Sequence, residues 1–178
     1  MRNILKQRKT TVLQNQKGFT LVEMLIVLVL IGLAVALMVG IFGNPFANAS
    51  IDSTATRVID DLRSIEGAAQ SYKAKEAATP ADLAALVTKG YLKLTPTAPA
   101  PIPNTNSYAW TTSGVTAFGG AGNDTVVTLG GINDDICKAI NKAAYGTAAV
   151  PTSVDGSKNI QCYGSNNSNT ALIPVFVN

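Results

Sequence analysis

Lys17-Gly18-Phe19-Thr20-Leu21-Val22-Glu23 opens an apolar stretch that runs on to Gly43, and its reading decides the fold. From Met24 to Gly43 there are 20 residues without a charge. At about 1.5 Å per residue, a helix of that length crosses a hydrocarbon layer of roughly 30 Å. Five bases (Arg2, Lys6, Arg8, Lys9, Lys17) and no acid precede it. That asymmetry keeps the N-terminus in the cytoplasm and sends the rest outward. Sixteen residues between Phe19 and Phe42 are Leu, Ile, Val or Phe. At roughly 0.3–0.6 kcal/mol each, they outweigh the charge of Glu23, which costs about 2.5–3.5 kcal/mol at mid-membrane. Insertion tolerates Glu23 but does not explain it. An ionisable residue in a membrane segment is a functional hypothesis, and it needs a cationic partner. A cut just before Phe19 supplies one, as a new α-amino group four residues from the acid.

Gly18-Phe19-Thr20-Leu21-Val22-Glu23 resembles the processing site of type IV pilins and their pseudopilin relatives. The resemblance implies a membrane aspartyl peptidase that cuts between Gly18 and Phe19 and methylates the new N-terminus at Phe19. It also implies that Glu23 meets the Phe19 amine of a neighbouring subunit and sets the register of a filament. The bland readings are a secretory signal peptide or a simple membrane anchor. Ala47-Asn48-Ala49 offers an A-x-A-like cleavage site just past the apolar run. Against it stand the length of that run and the placement of Glu23.

The chain of 178 residues holds one membrane segment and one small globular domain. Residues 1–18 read as a cleaved leader, 19–45 as the transmembrane and filament-core helix, and 46–178 as a globular head. The net charge of +3 misleads: without the leader, nine basic residues face 11 acidic ones. No nucleic-acid site is evident. The leader is longer than type IVa leaders and nearer those of type IVb, whereas Phe19 is the type IVa habit.

Residues 19–76 read as one long helix with a weak place. Gly32, Gly40 and Gly43 each cost about 1 kcal/mol relative to Ala, and Pro45 removes a backbone donor. These four positions are where resembling pilins would melt the helix on packing into a filament, although the proline that the family often carries near Gly40 is missing. Glycines without special effect are the alternative. Beyond Pro45, Ile51, Ala55, Val58, Leu62, Ile65, Ala69 and Tyr72 form a stripe at 4-3 spacing. It predicts an amphipathic half laid on the head rather than a free coiled coil.

Thr79-Pro80-Ala81-Asp82 predicts an N-cap at Thr79 and a short helix ended by Gly90. The run Leu83–Leu92 is similar to the pilin connector between helix and sheet. Strands are expected at Tyr108–Thr112, Val115–Phe118, Thr125–Leu129, Asn159–Tyr163 and Ala171–Val177. Gly119-Gly120, Gly130-Gly131 and Gly164-Ser165 read as the turns between them. Pro174 suggests an edge position or a bulge, and Asp134–Ala144 a helix bearing Cys137. The fold class is therefore α+β: a long N-terminal helix, apolar then amphipathic, packed on a small antiparallel sheet.

Cys137 and Cys162 are the only cysteines. In an exported domain the pair reads as a disulfide whose loop contributes about 3.5 kcal/mol in the chain-entropy account; two buried thiols are the alternative. The loop resembles that near the C-terminus of many pilins, and Cys137-Lys138-Ala139-Ile140 is closest to the type IVb group, towards which the whole leans. There is no histidine, and no phosphate-cradling loop or metal-ligand spacing. Asp60-Asp61 and Asp134-Asp135 read as solvated helix-surface acids. No enzyme, cofactor or metal is expected. The expected product is a pilin of an extracellular filament, with itself, the inner membrane, prepilin peptidase and the assembly machinery as partners. Rivals are a type II secretion pseudopilin and a monomeric membrane-anchored binding domain.

Overall fold

The computed structural model describes residues 20–42, 45–112, 118 and 124–177, with the side chains of 39–42 and 45–47 left out of account. The chain divides into two compact units, Met1–Pro45 and Phe46–Asn178. The expected strand Val115–Phe118 falls outside the described residues except for Phe118, which lies in a turn. The Gly119-Gly120 turn and Gly43 also fall outside them.

In the first unit, α1 spans Leu21–Phe42. Its side chains are exposed all round from Leu21 (81%) to Met38 (64%), so no face of α1 is marked by burial. The segment Leu21–Met38 is long and apolar enough to cross a membrane, and none of it is buried.

The second helix, α2, spans Pro45–Glu76. Pro45 is its first residue, where a missing N–H costs nothing because that donor has no intrahelical partner. The 4-3 stripe is inward: Ala55, Val58, Leu62, Ile65 and Ala69 are buried in one core, with Ile51 and Tyr72 packed at its margin. Thus the amphipathic half lies on the head of its own chain. Lys73 and Lys75 complete the last turn, where cations suit the helix dipole.

The third helix, α3 (Leu83–Thr88), begins later than expected. Its cap is Asp82, not Thr79: the Asp82 carboxylate accepts from the Ala85 N–H at 2.7 Å. Asp82 sits in extended backbone immediately before the buried Leu83, so the apolar face selects the nearer of two capping residues. Gly90 closes the helix with φ +76°. Tyr91 N–H donates to Leu86 C=O at 2.9 Å and Gly90 N–H to Val87 C=O at 3.0 Å, the two bonds of a Schellman ending.

Among the described residues, four antiparallel strands form one sheet in the order β1-β2-β4-β3. They are β1 Ala109–Thr111, β2 Thr125–Ile132, β3 Gln161–Ser165 and β4 Ser168–Phe176, with α4 (Asp134–Tyr145) between β2 and β3. Two expected turns are corrected. Gly130-Gly131 lies inside β2, where the pairing with β4 shifts between Leu129 and Ile132. Gly131 there has φ +73°, and a Cβ on it would run into the Asn106 amide. Gly164-Ser165 belongs to β3, and the turn is Asn166-Asn167, with φ of +56° and +58°. Two consecutive positive φ values are what a two-residue hairpin demands, and Asn tolerates them. Pro174 lies in a central strand, not at an edge. It is tolerated because the β2–β4 register shifts beside it, and because β3 pairs with β4 only as far as Leu172.

One core joins α2 to the inner face of the sheet (Val127, Leu129, Ala171, Ile173, Val175) and to Ile136, Cys137 and Ile140 of α4. Directional bonds fix the helix on it: Gln70 Nε2 donates to Val175 C=O at 2.7 Å, and the Tyr108 hydroxyl donates to Asp61 Oδ2 at 2.9 Å.

Candidate functional site: the start of the apolar helix

Thr20 is the first described residue, and α1 begins at the next position. Its hydroxyl oxygen accepts from the Glu23 N–H at 3.2 Å and its carbonyl from the same N–H at 3.0 Å. Thr20 is therefore the N-cap of α1, and Glu23 stands at the third helical position. Thr-x-x-Glu is the pattern of a capping box, and a carboxylate in the first turn suits the positive end of the helix dipole. The two bonds are made by the Glu23 backbone N–H; its carboxylate contributes by its place in the first turn.

Gly18 and Phe19, the expected cleavage and methylation positions, lie outside the described residues. Of the four expected melting positions, Gly32 and Gly40 lie within α1, Gly43 is outside the described residues, and Pro45 begins α2. Gly32 has nothing within 4 Å of where its Cβ would be, so close approach of the chain to itself does not demand the glycine.

In the head, Cys137 and Cys162 form a disulfide, and both cysteines are fully buried. Asp134 is not a free surface acid. Its Oδ1 accepts from Asn169 Nδ2 at 2.7 Å and from the Asn167 N–H at 3.1 Å, while its own N–H donates to Asn167 Oδ1 at 3.0 Å. The Asn169 hydrogen bond, joined by that from Asn167, holds the Asp134 carboxyl below the usual range. The start of α4 is thereby clamped to the β3–β4 turn. Asp61 is half-buried against Tyr108; burial pushes its carboxyl up, and the Tyr108 hydrogen bond opposes this. Both acids serve the fold, and among the described residues no group of three or more His, Cys, Asp or Glu is placed to hold a metal.

The chemistry that stands out is an uncovered apolar helix whose capped start follows the expected cleavage point. The prokaryotic N-terminal methylation motif matches residues 13–39, a span that contains Gly18, Phe19, Glu23 and most of α1. No curated protein and no solved structure matches the chain. The motif is that of type IV pilin-like and pseudopilin precursors, structural proteins processed by prepilin peptidase.

Proposed function

We propose that the chain is a type IV pilin subunit, held in the inner membrane by α1, cleaved between Gly18 and Phe19, methylated at Phe19 and polymerised into an extracellular filament. The observation that carries this reading is the methylation motif at residues 13–39, continuous with a helix whose Leu21–Met38 span is wholly unburied. Such a helix needs an apolar surrounding. Lipid supplies it before assembly and neighbouring copies of α1 supply it afterwards, so polymerisation need not bury much new apolar surface.

Because lipid and neighbouring helices are nearly equal in apolarity, burial alone does not fix the axial offset between subunits. The Glu23 carboxylate and a neighbour's Phe19 amine would fix it. A misplaced copy leaves a charge unpaired in a low-dielectric core, at several kcal/mol. Melting of the helix near Gly32, Gly40, Gly43 or Pro45 would let the head adjust over a core already in register.

The test is the intact mass and N-terminal sequence of protein shed from the cell surface. A methylated Phe19 start, with mass two hydrogens below the reduced form, is expected. A Met1 start, or one beyond Ala49, would leave an anchor or a secreted domain and remove the filament.

A further inference from the structure

The face of α4 that bears Cys137 also bears Asn141 one turn later, and both side chains are buried. An amide in an apolar core must find partners, and Asn141 finds them all in backbone. Its Nδ2 donates to Cys162 C=O at 2.8 Å and to Ala149 C=O at 2.7 Å, and its Oδ1 accepts from the Cys162 N–H at 2.8 Å. The carboxamide thus acts as a neighbouring strand would on one edge of β3, whose other edge pairs with β4. The disulfide joins the same two elements, with the two Cα atoms 5.3 Å apart. Apolar packing of Ile136 and Ile140 holds α4 down but does not set its roll or axial position. The Asp134 bonds fix the start of α4, and the directional Asn141 bonds fix the turn beside the cysteines.

We propose that Asn141 is the positioning residue of the Cys137–Cys162 bond: it seats the Cys162 backbone against α4 in the reduced chain, so that the thiols face each other before they are joined. Oxidation then requires only an external disulfide. One cysteine thiolate attacks it and forms a mixed disulfide, releasing one thiol. The second thiolate displaces the other half, closing the Cys137–Cys162 bond. The two protons and two electrons lost by the cysteines end on the two thiols released. The second displacement is intramolecular, so its rate and the final equilibrium both follow how often the docked geometry is populated. Nothing in this device depends on whether the chain polymerises.

The experiment equilibrates the full chain, in detergent, with mixtures of reduced and oxidised glutathione, and reads the oxidised fraction by alkylation and mass. Asn141→Asp and Asn141→Leu should each lower the effective concentration of the thiol pair by about tenfold or more, and slow closure of the mixed disulfide by a similar factor. Asp82→Ala, which removes the α3 cap, should leave both values as in the parent. An unchanged equilibrium in the Asn141 variants, or an equal shift in Asp82→Ala, overturns the proposal. Should the Asn141 variants fail to fold, a chain carrying Cys137→Ser and Cys162→Ser with Asn141 intact decides it. The amide proton at position 162 should then exchange at least about 100-fold more slowly than in a free peptide. Exchange at the free-peptide rate would mean that Asn141 docks nothing without the disulfide.

Discussion

Thr20 caps α1 through the Glu23 backbone N–H, and the Glu23 side chain has two uses to separate: the capping-box position three residues after Thr20 and the proposed pairing between subunits. The two uses differ in what they require of the side chain. A capping box accepts Gln in place of Glu, because either can reach back to the N-cap N–H, whereas an ion pair with a neighbour's amine needs the charge. Glu23→Gln is therefore expected to be processed and inserted normally, yet to yield few filaments by electron microscopy of sheared surface material. Normal yield would reduce Glu23 to a cap. A second residue-scale expectation concerns Tyr108. Burial first, then the nearby Asp61 charge and hydrogen bond, push its phenol above the usual range. In the unfolded chain that phenol titrates near its ordinary value of about 10. The stabilisation it supplies is thus complete below that pH and declines as pH rises through it, because the folded state holds the proton longer. Tyr108→Phe leaves Asp61 without its donor and should cost about 1–2 kcal/mol at neutral pH in denaturant melts. It should also make the alkaline decline shallower. Tyr145 and Tyr163, likewise raised by burial, maintain the remainder.

Among the elements, α2 carries the head. Leu62 is fully buried at the middle of its stripe, and Leu62→Ala should cost about 2–5 kcal/mol, depending on how far the core closes over the gap. Denaturant unfolding of the oxidised head measures this, and a loss below about 0.5 kcal/mol would contradict the packing, being what surface positions show. That helix was legible because one period of seven residues repeats from Ile51 to Tyr72, and nothing but an amphipathic helix satisfies it. The α4 helix was legible from Ile136 and Ile140 one turn apart with Gly146 beyond its end, and its disulfide because two cysteines in an exported domain have one pairing. The misreadings share a cause: a local signal was satisfied by more than one arrangement. Thr79 and Asp82 are both good caps, and the burial of Leu83 chose between them. Gly130-Gly131 looks like a turn, but a bulge also accepts a positive φ, and the approach of Asn106 shows why a glycine is needed there. The Asn166-Asn167 hairpin was missed because Ser168-Asn169-Thr170 interrupts the apolar alternation of β4. Those residues are polar because Asn169 reaches the Ile132 carbonyl and Asp134, partners remote in sequence. Asn141 and the Tyr108–Asp61 pair are invisible in sequence for the same reason, since each acquires meaning only from what the fold brings opposite it.

At the scale of the molecule, the two units obey opposite rules. Residues 46–178 bury a continuous core, close one sheet edge with the Asn141 amide, and carry a disulfide across α4 and β3. Such a unit has what independent folding requires. The α1 helix has none of it: Leu28 is 70% exposed and Leu30 58%. Contiguous apolar surface of that extent marks a membrane or protein contact. A chain beginning at Phe46 is therefore expected to be a soluble, oxidised monomer, whereas the full chain should stay dispersed only in detergent. Light scattering measures the first and detergent removal the second. The melting temperature of the oxidised head should agree with that of the full chain in detergent within about 2–4 °C, the shift that roughly 1 kcal/mol produces in a domain of this size. A head that aggregates or melts far earlier would mean that α1 contributes to folding. The apolar helix would then no longer be free to exchange lipid for neighbouring copies, and the proposed assembly would lose its physical basis.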